Sequence, residues 1–307
     1  MIASIFSKSK PINFLIVFFI TIIALLAALY LDPESEINAL SIFKLLPVFI
    51  VCYLSILLLD FIVNKNSLSQ KSNFEVVLFS VFVLAIPQLF LHQNLVFSNL
   101  IILLALRRII SIQKQKDTLK KLFDSGFLIG LASLFYFWSI LFFVLIFIAI
   151  FFYAEAEIKK VITPFLGFIS IYIVAITYSL IVDDAFFSAF TWSPSISFDL
   201  SAFNSAQFII AITMFLSFGL WSSIFYLRGI KNKKKTFRPS YSVIFSACLI
   251  ASSIIVIAPN KNGSEFLFLF APLAIIITNY IETIAEKWFK EVFLFALLVI
   301  PFILLFL

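Results

Sequence analysis

A few ionisable residues in this chain have types and spacings that can do chemistry. The segment Asp32-Pro33-Glu34-Ser35-Glu36 carries three carboxylates in five residues. A carboxylate held just above a membrane surface can act as a general base on an acceptor hydroxyl. The same segment also reads as a solvated connection that helps set topology. The string APNKNGSEFLFLFAP, residues 258–272, places Lys261, Asn262 and Glu265 around a glycine directly before an apolar run. Lys261 there can hold a phosphate with help from the N–H groups that open the helix. The spacing equally reads as helix capping, with Asn262 at the N-cap and Glu265 at N3. The two readings are compatible.

The remaining candidates are simpler. Asp183 and Asp184 are adjacent carboxylates that could ligate a divalent cation, or a helix end reaching water. Carboxylates do not complement a helix C-terminus, so the pair is not there to satisfy the dipole. His92, beside Gln93, can titrate or donate a hydrogen bond, or can sit as a polar residue at an interface. Asp60, within LLLDFIV, reads as a partner for a nearby Lys or Arg. Cys52 and Cys248 lie inside apolar runs and read as small buried hydrophobes. With a single His, a multi-histidine metal centre is excluded. No metal site or cofactor is expected, and no motif supports a divalent cation.

The elements that must position these residues are membrane spans. Hydrophobic residues make up 63% of the 307, charged residues 12%, and mean hydropathy is +1.15. Soluble domains carry about 25% charged residues, so a soluble core is excluded. The net charge of +6 does not point to nucleic acid, because the basic residues follow a membrane pattern. The first apolar run lacks a small-residue cleavage site and reads as a retained span.

Apolar runs place spans at about 11–31, 41–63, 74–90, 96–106, 123–137, 138–153, 161–182, 206–227, 239–257, 265–281 and 291–307. The stretch 126–153 is ambiguous, since about 20 residues cross the hydrocarbon core. One long crossing there would place Arg228–Arg238 outside. A tight hairpin near Phe137–Trp138 returns that segment to the cytoplasm. With the hairpin, 20 of the 22 Lys and Arg face one side, and only Lys44 and Lys261 face the other. Loops rich in Lys and Arg stay cytoplasmic. The expectation is therefore an all-α integral membrane protein of about eleven spans in a bacterial inner membrane. Its N-terminus lies inside and its C-terminus outside, and residues 1–307 form a single polytopic domain. Asp32, Glu34, Glu36, His92, Asp183, Asp184, Asp199, Lys261 and Glu265 then share the outer face with Lys44.

Two stretches carry a family resemblance. LFDSGFLIGLASLFYFWSILF (residues 122–142) follows a short span ending ALRR and a basic segment, and FLFLFAPLAIIITNYIE occupies 266–282. Both resemble the core of GT-C membrane glycosyltransferases. The whole chain also resembles a group of Bacteroidota inner-membrane proteins, for which a fold but no activity is implied. The GT-C resemblance implies action on a polyprenyl-phosphate-linked sugar at the outer face. Asp32 would be the leading base with Glu34 and Glu36 behind it, Lys261 would meet the lipid phosphate, and Glu265 would orient it. The sequence departs from that family in its short first outer loop, its lack of an outer Arg and its lack of a large C-terminal outer domain. A second reading is a non-catalytic membrane subunit that scaffolds an envelope or secretion complex through a protein partner. A third is a lipid or solute transporter, for which neither a repeat nor a charge pair near a span centre speaks.

Overall fold

A computed structural model of the chain describes residues 2–31, 39–70, 72–153, 157–186 and 194–306. Helices follow one another with short connections, and no strand occurs among the described residues. They are α1 (Ile2–Phe6), α2 (Pro11–Leu31), α3 (Ala39–Asn66), α4 (Phe74–Ala85), α5 (Gln93–Ile110) and α6 (Thr118–Phe135). Then come α7 (Phe143–Tyr153), α8 (Ile158–Asp183), α9 (Ala206–Ile230), α10 (Arg238–Ile257), α11 (Leu267–Thr283) and α12 (Lys287–Leu304). Short 3-10 turns at Pro87–Leu91, Phe137–Phe142, Ser201–Phe203 and Ser264–Phe266 join several of them.

Among the described residues, seven helices are long and apolar enough to cross a membrane: α2, α3 from Phe43, α5 continued to Lys114, α8, α9, α10, and α11 with its opening turn. Two shorter apolar stretches, α4 and Phe137–Tyr153, accompany them. The chain is thus an all-helical, multi-pass membrane protein by length and composition. Helix α5 extends past the expected span at both ends, because Gln93, Asn94, Arg107 and Arg108 stay helical where the apolar run has stopped. Helix α8 starts at Ile158, so Pro164 lies beyond the first turn, where its missing N–H would have been harmless. The helix before residue 137 breaks at Tyr136, whose backbone is extended (φ −146°, ψ 110°).

The chain packs as two compact units, divided within α5. Unit 1 comprises residues 1–96, 199–232 and 261–307, and unit 2 comprises 97–198 and 233–260. In unit 1, every residue of α4 is buried, as is α11 from Leu267 to Ile281. Helices apolar on all sides form the centre of a bundle. Helix α4 packs against α2, α3, α11 and α12. Rings lock the centre: Phe82 meets Phe215 edge-on at 5.2 Å, and Phe270 lies 5.5 Å from Phe215 and 5.7 Å from Phe82. Such aromatic pairs add to area burial.

Unit 2 is held by α6 crossing α8 at backbone distance. A Cβ on Gly126 would lie 2.1 Å from the Pro164 carbonyl oxygen, and one on Gly167 2.2 Å from that of Phe123. Small residues permit this approach where lipid offers no hydrophobic drive between helices. The Ser133 and Tyr172 hydroxyls share a hydrogen bond of 2.8 Å across the same crossing.

Candidate functional site

The segment 261–266 opens α11 in unit 1. Gly263 takes φ +89°, a left-handed conformation that side chains resist, and a Cβ there would also strike the Phe208 ring at 2.4 Å. That turn brings Glu265 back over its own entry. Its carboxylate accepts the backbone N–H of Gly263 at 3.0 Å and, more weakly, that of Asn262 at 3.4 Å. The Asn262 side-chain oxygen accepts the Ser264 N–H at 3.0 Å and the Ser264 hydroxyl. The expected capping therefore forms with shifted positions. Gly263, rather than Asn262, stands immediately before the 3-10 turn, and Glu265 is its second residue.

Glu265 is fully buried and Lys261 is 8% exposed. The Lys261 ammonium lies within electrostatic reach of two carboxylates, Glu265 and Asp199. Asp199 is fully exposed, and its side chain accepts the Ser201 N–H at 2.9 Å. The hydrogen bonds from Ser201, and then the charge of Lys261, hold this carboxyl below its ordinary value. One ammonium thus acts on two acids, each of which also accepts backbone N–H groups.

The neighbouring turn Pro87–Leu91 packs against Ser264–Phe266. The Gln88 amide donates to Gln207 at 2.8 Å, which ties the end of α4 to the start of α9. His92 closes the Pro87–Leu91 turn through its N–H to the Leu89 carbonyl at 3.1 Å. Its imidazole is half-buried, and burial lowers its pKa from the ordinary value of 6.5.

Of the residues singled out from sequence, Lys261, Asn262 and Glu265 form one cluster, with His92 at the end of the adjoining turn. Asp183 and Asp184 belong to unit 2, exposed at the end of α8, with Asp184 in the left-handed region (φ 50°). Asp32, Glu34 and Glu36 lie outside the described residues. Sequence reading placed Asp199 on the same face without linking it to Lys261, and it passed over Gln88 and Gln207. Asp199 and Lys261 are far apart in the chain, so no spacing could have joined them. Asp60 accepts a hydrogen bond from Asn64 at 2.9 Å, and among the described residues it forms no ion pair with the basic partner expected for it. Among the described residues, no group of three or more His, Cys, Asp or Glu could hold a metal ion.

The family match spans residues 1–307. The chain belongs to a family of unknown function, DUF6427. No curated protein and no solved structure matches it. In this DUF6427 chain, chemistry must be read from the cluster itself. Its carboxylate is turned inward on the backbone and its ammonium is balanced by acids.

Proposed function

We propose that this DUF6427 protein is a non-catalytic, multi-pass subunit of an envelope or secretion assembly. In this reading it crosses a bacterial inner membrane about eleven times, with its N-terminus inside. The orientation rests on the distribution of Lys and Arg. One observation carries the functional reading. The Glu265 carboxylate, which a transferase would need to turn toward substrate, caps the Gly263 and Asn262 amides instead. Lys261, already flanked by Asp199 and Glu265, gains less from a phosphate than an uncompensated cation would. Affinity purification from the native membrane in mild detergent tests it. A stoichiometric protein partner is expected. Purification as a lone chain carrying a polyprenyl-phosphate lipid would overturn it.

A second reading, a GT-C-like transferase acting on a polyprenyl-phosphate-linked sugar, draws on a different observation. The Asn73 N–H donates to the Phe6 carbonyl at 3.0 Å, so α2 and α4 start from the same end of unit 1. Helix α2 also packs on the Pro87–Leu91 turn, which adjoins the Lys261 segment. The chain therefore enters the Asp32–Glu36 segment from the end of unit 1 that holds Lys261. If Asp32→Asn and Lys261→Ala each abolished glycan assembly in intact cells at normal protein levels, this reading would replace the first.

A further inference from the structure

The opposite end of the α4–α11 pair holds a buried acid that neither reading uses. Glu75 is the second residue of α4 and is fully buried, and among the described residues neither of its carboxyl oxygens has a hydrogen-bond partner beyond a weak approach to its own backbone N–H. Asn73, two residues earlier, is also fully buried, and both its side-chain polar atoms are without a partner. Most buried polar groups in proteins are satisfied, so two such side chains together require an explanation. A desolvated carboxylate with no counter-charge is strongly disfavoured, and such a group neutralises. Ionisable residues at membrane depth mark ion or proton paths by default.

Among the described residues, the charges around Glu75 do not supply a counter-ion. Helix α3 contributes Asp60 and, at its end, Lys65, whose ammonium sits over the Phe61 ring. Helix α11 contributes Glu282, which accepts the Gln70 N–H at 2.9 Å and the Ser72 hydroxyl at 2.6 Å. Helix α12 contributes Lys287, Lys290 and Glu291. The Lys290 ammonium lies over the Phe74 ring, and Glu291 accepts the Ala3 N–H at 3.2 Å. Helix α2 carries only Tyr30, near its far end, and the Pro87–Leu91 turn carries no ionisable residue. The charges within electrostatic reach of Glu75 are Asp60 and Glu282, both negative. Both are less buried than Glu75.

We propose that Glu75 is a proton-binding site, filled from the end of unit 1 that carries Asp60 and Glu282. The step is a simple protonation: a proton from water adds to one Glu75 oxygen, and no other bond changes. The neutral acid gains an O–H donor and ends the repulsion from Asp60 and Glu282. This goes beyond the scaffold reading and does not depend on it.

Infrared spectroscopy of the full chain in lipid bilayers tests the proposal. At neutral pH the wild type should show the C=O stretch of a protonated carboxylic acid. Glu75→Gln should lose it, and Glu75→Leu, apolar and of similar size, should give the same subtraction if the amide variant does not accumulate. Transfer to heavy water should move the band to lower wavenumber, because the proton exchanges with solvent. Absence of the band would overturn the proposal in favour of an ionised carboxylate held by another cation. A band that never shifts in heavy water would also overturn it, leaving a sealed structural acid.

Discussion

The carboxylate of Glu265 accepts the Gly263 backbone N–H at 3.0 Å, which commits it to the turn that opens α11. A carboxylate spent on amides of its own turn is a structural group. Glu265→Gln keeps one acceptor oxygen but sets an amide donor against buried N–H groups. It should lower stability by about 1–3 kcal/mol, the cost of leaving a buried donor unsatisfied. Thermal unfolding in detergent checks this, and an unchanged midpoint would remove Glu265 from the fold's support.

The α6–α8 crossing should be the least tolerant place in unit 2. Gly126→Ala and Gly167→Ala put a Cβ within about 2.2 Å of a backbone carbonyl, which cannot swing aside as a side chain can. Overpacking typically costs about 1–3 kcal/mol, and these contacts should lie at or above the upper end. Gly229→Ala meets nothing within 4 Å and should leave the unfolding midpoint unchanged or slightly raised. Equal effects at all three positions would contradict the crossing.

The apolar helices were legible in the sequence because apolar runs and basic residues alternate along it, as at Arg107–Arg108 in the last turn of α5 and Arg228 near the end of α9. The capping of the Lys261 segment was legible because all its partners lie within four residues. Asp199 beside Lys261 was not, since only the packing of Ser201–Phe203 with the start of α11, through Phe203 and Phe266, brings them together. Glu75 gave one faint signal, a carboxylate at the entry of an otherwise apolar run. Its lack of partners is a property of α2, α3, α11 and α12 closing around α4. The close approach at Gly126 was likewise hidden, because a glycine in an apolar helix does not say which backbone it will meet.

His92 should make stability depend on pH. Burial lowers its pKa from 6.5, so the folded chain favours the neutral ring more than the unfolded chain does. The sign follows: this contribution is complete above the unfolded value and is lost as pH falls from 6.5 through the folded value. Unfolding midpoints measured across that window should decline on acidification, and His92→Gln should flatten the decline. A slope unaffected by the substitution would assign it to other groups.

Orientation is open to labelling. In a chain with Cys248→Ser, Asn260→Cys should react with an impermeant thiol reagent in intact cells, and Lys234→Cys only after the membrane is opened. Both positions are exposed, and the native Cys52 is fully buried. The reverse pattern would invert the proposed topology.

The role of Lys261 is the centre of the account, and one paired measurement on Lys261→Ala tests it. The purified variant would be compared with wild type for unfolding midpoint and for bound lipid by native mass spectrometry. A lower midpoint is expected, because Asp199 and the buried Glu265 lose their cation, with no polyprenyl-phosphate species lost. An unchanged midpoint with loss of such a lipid would contradict it and make Lys261 a ligand for substrate.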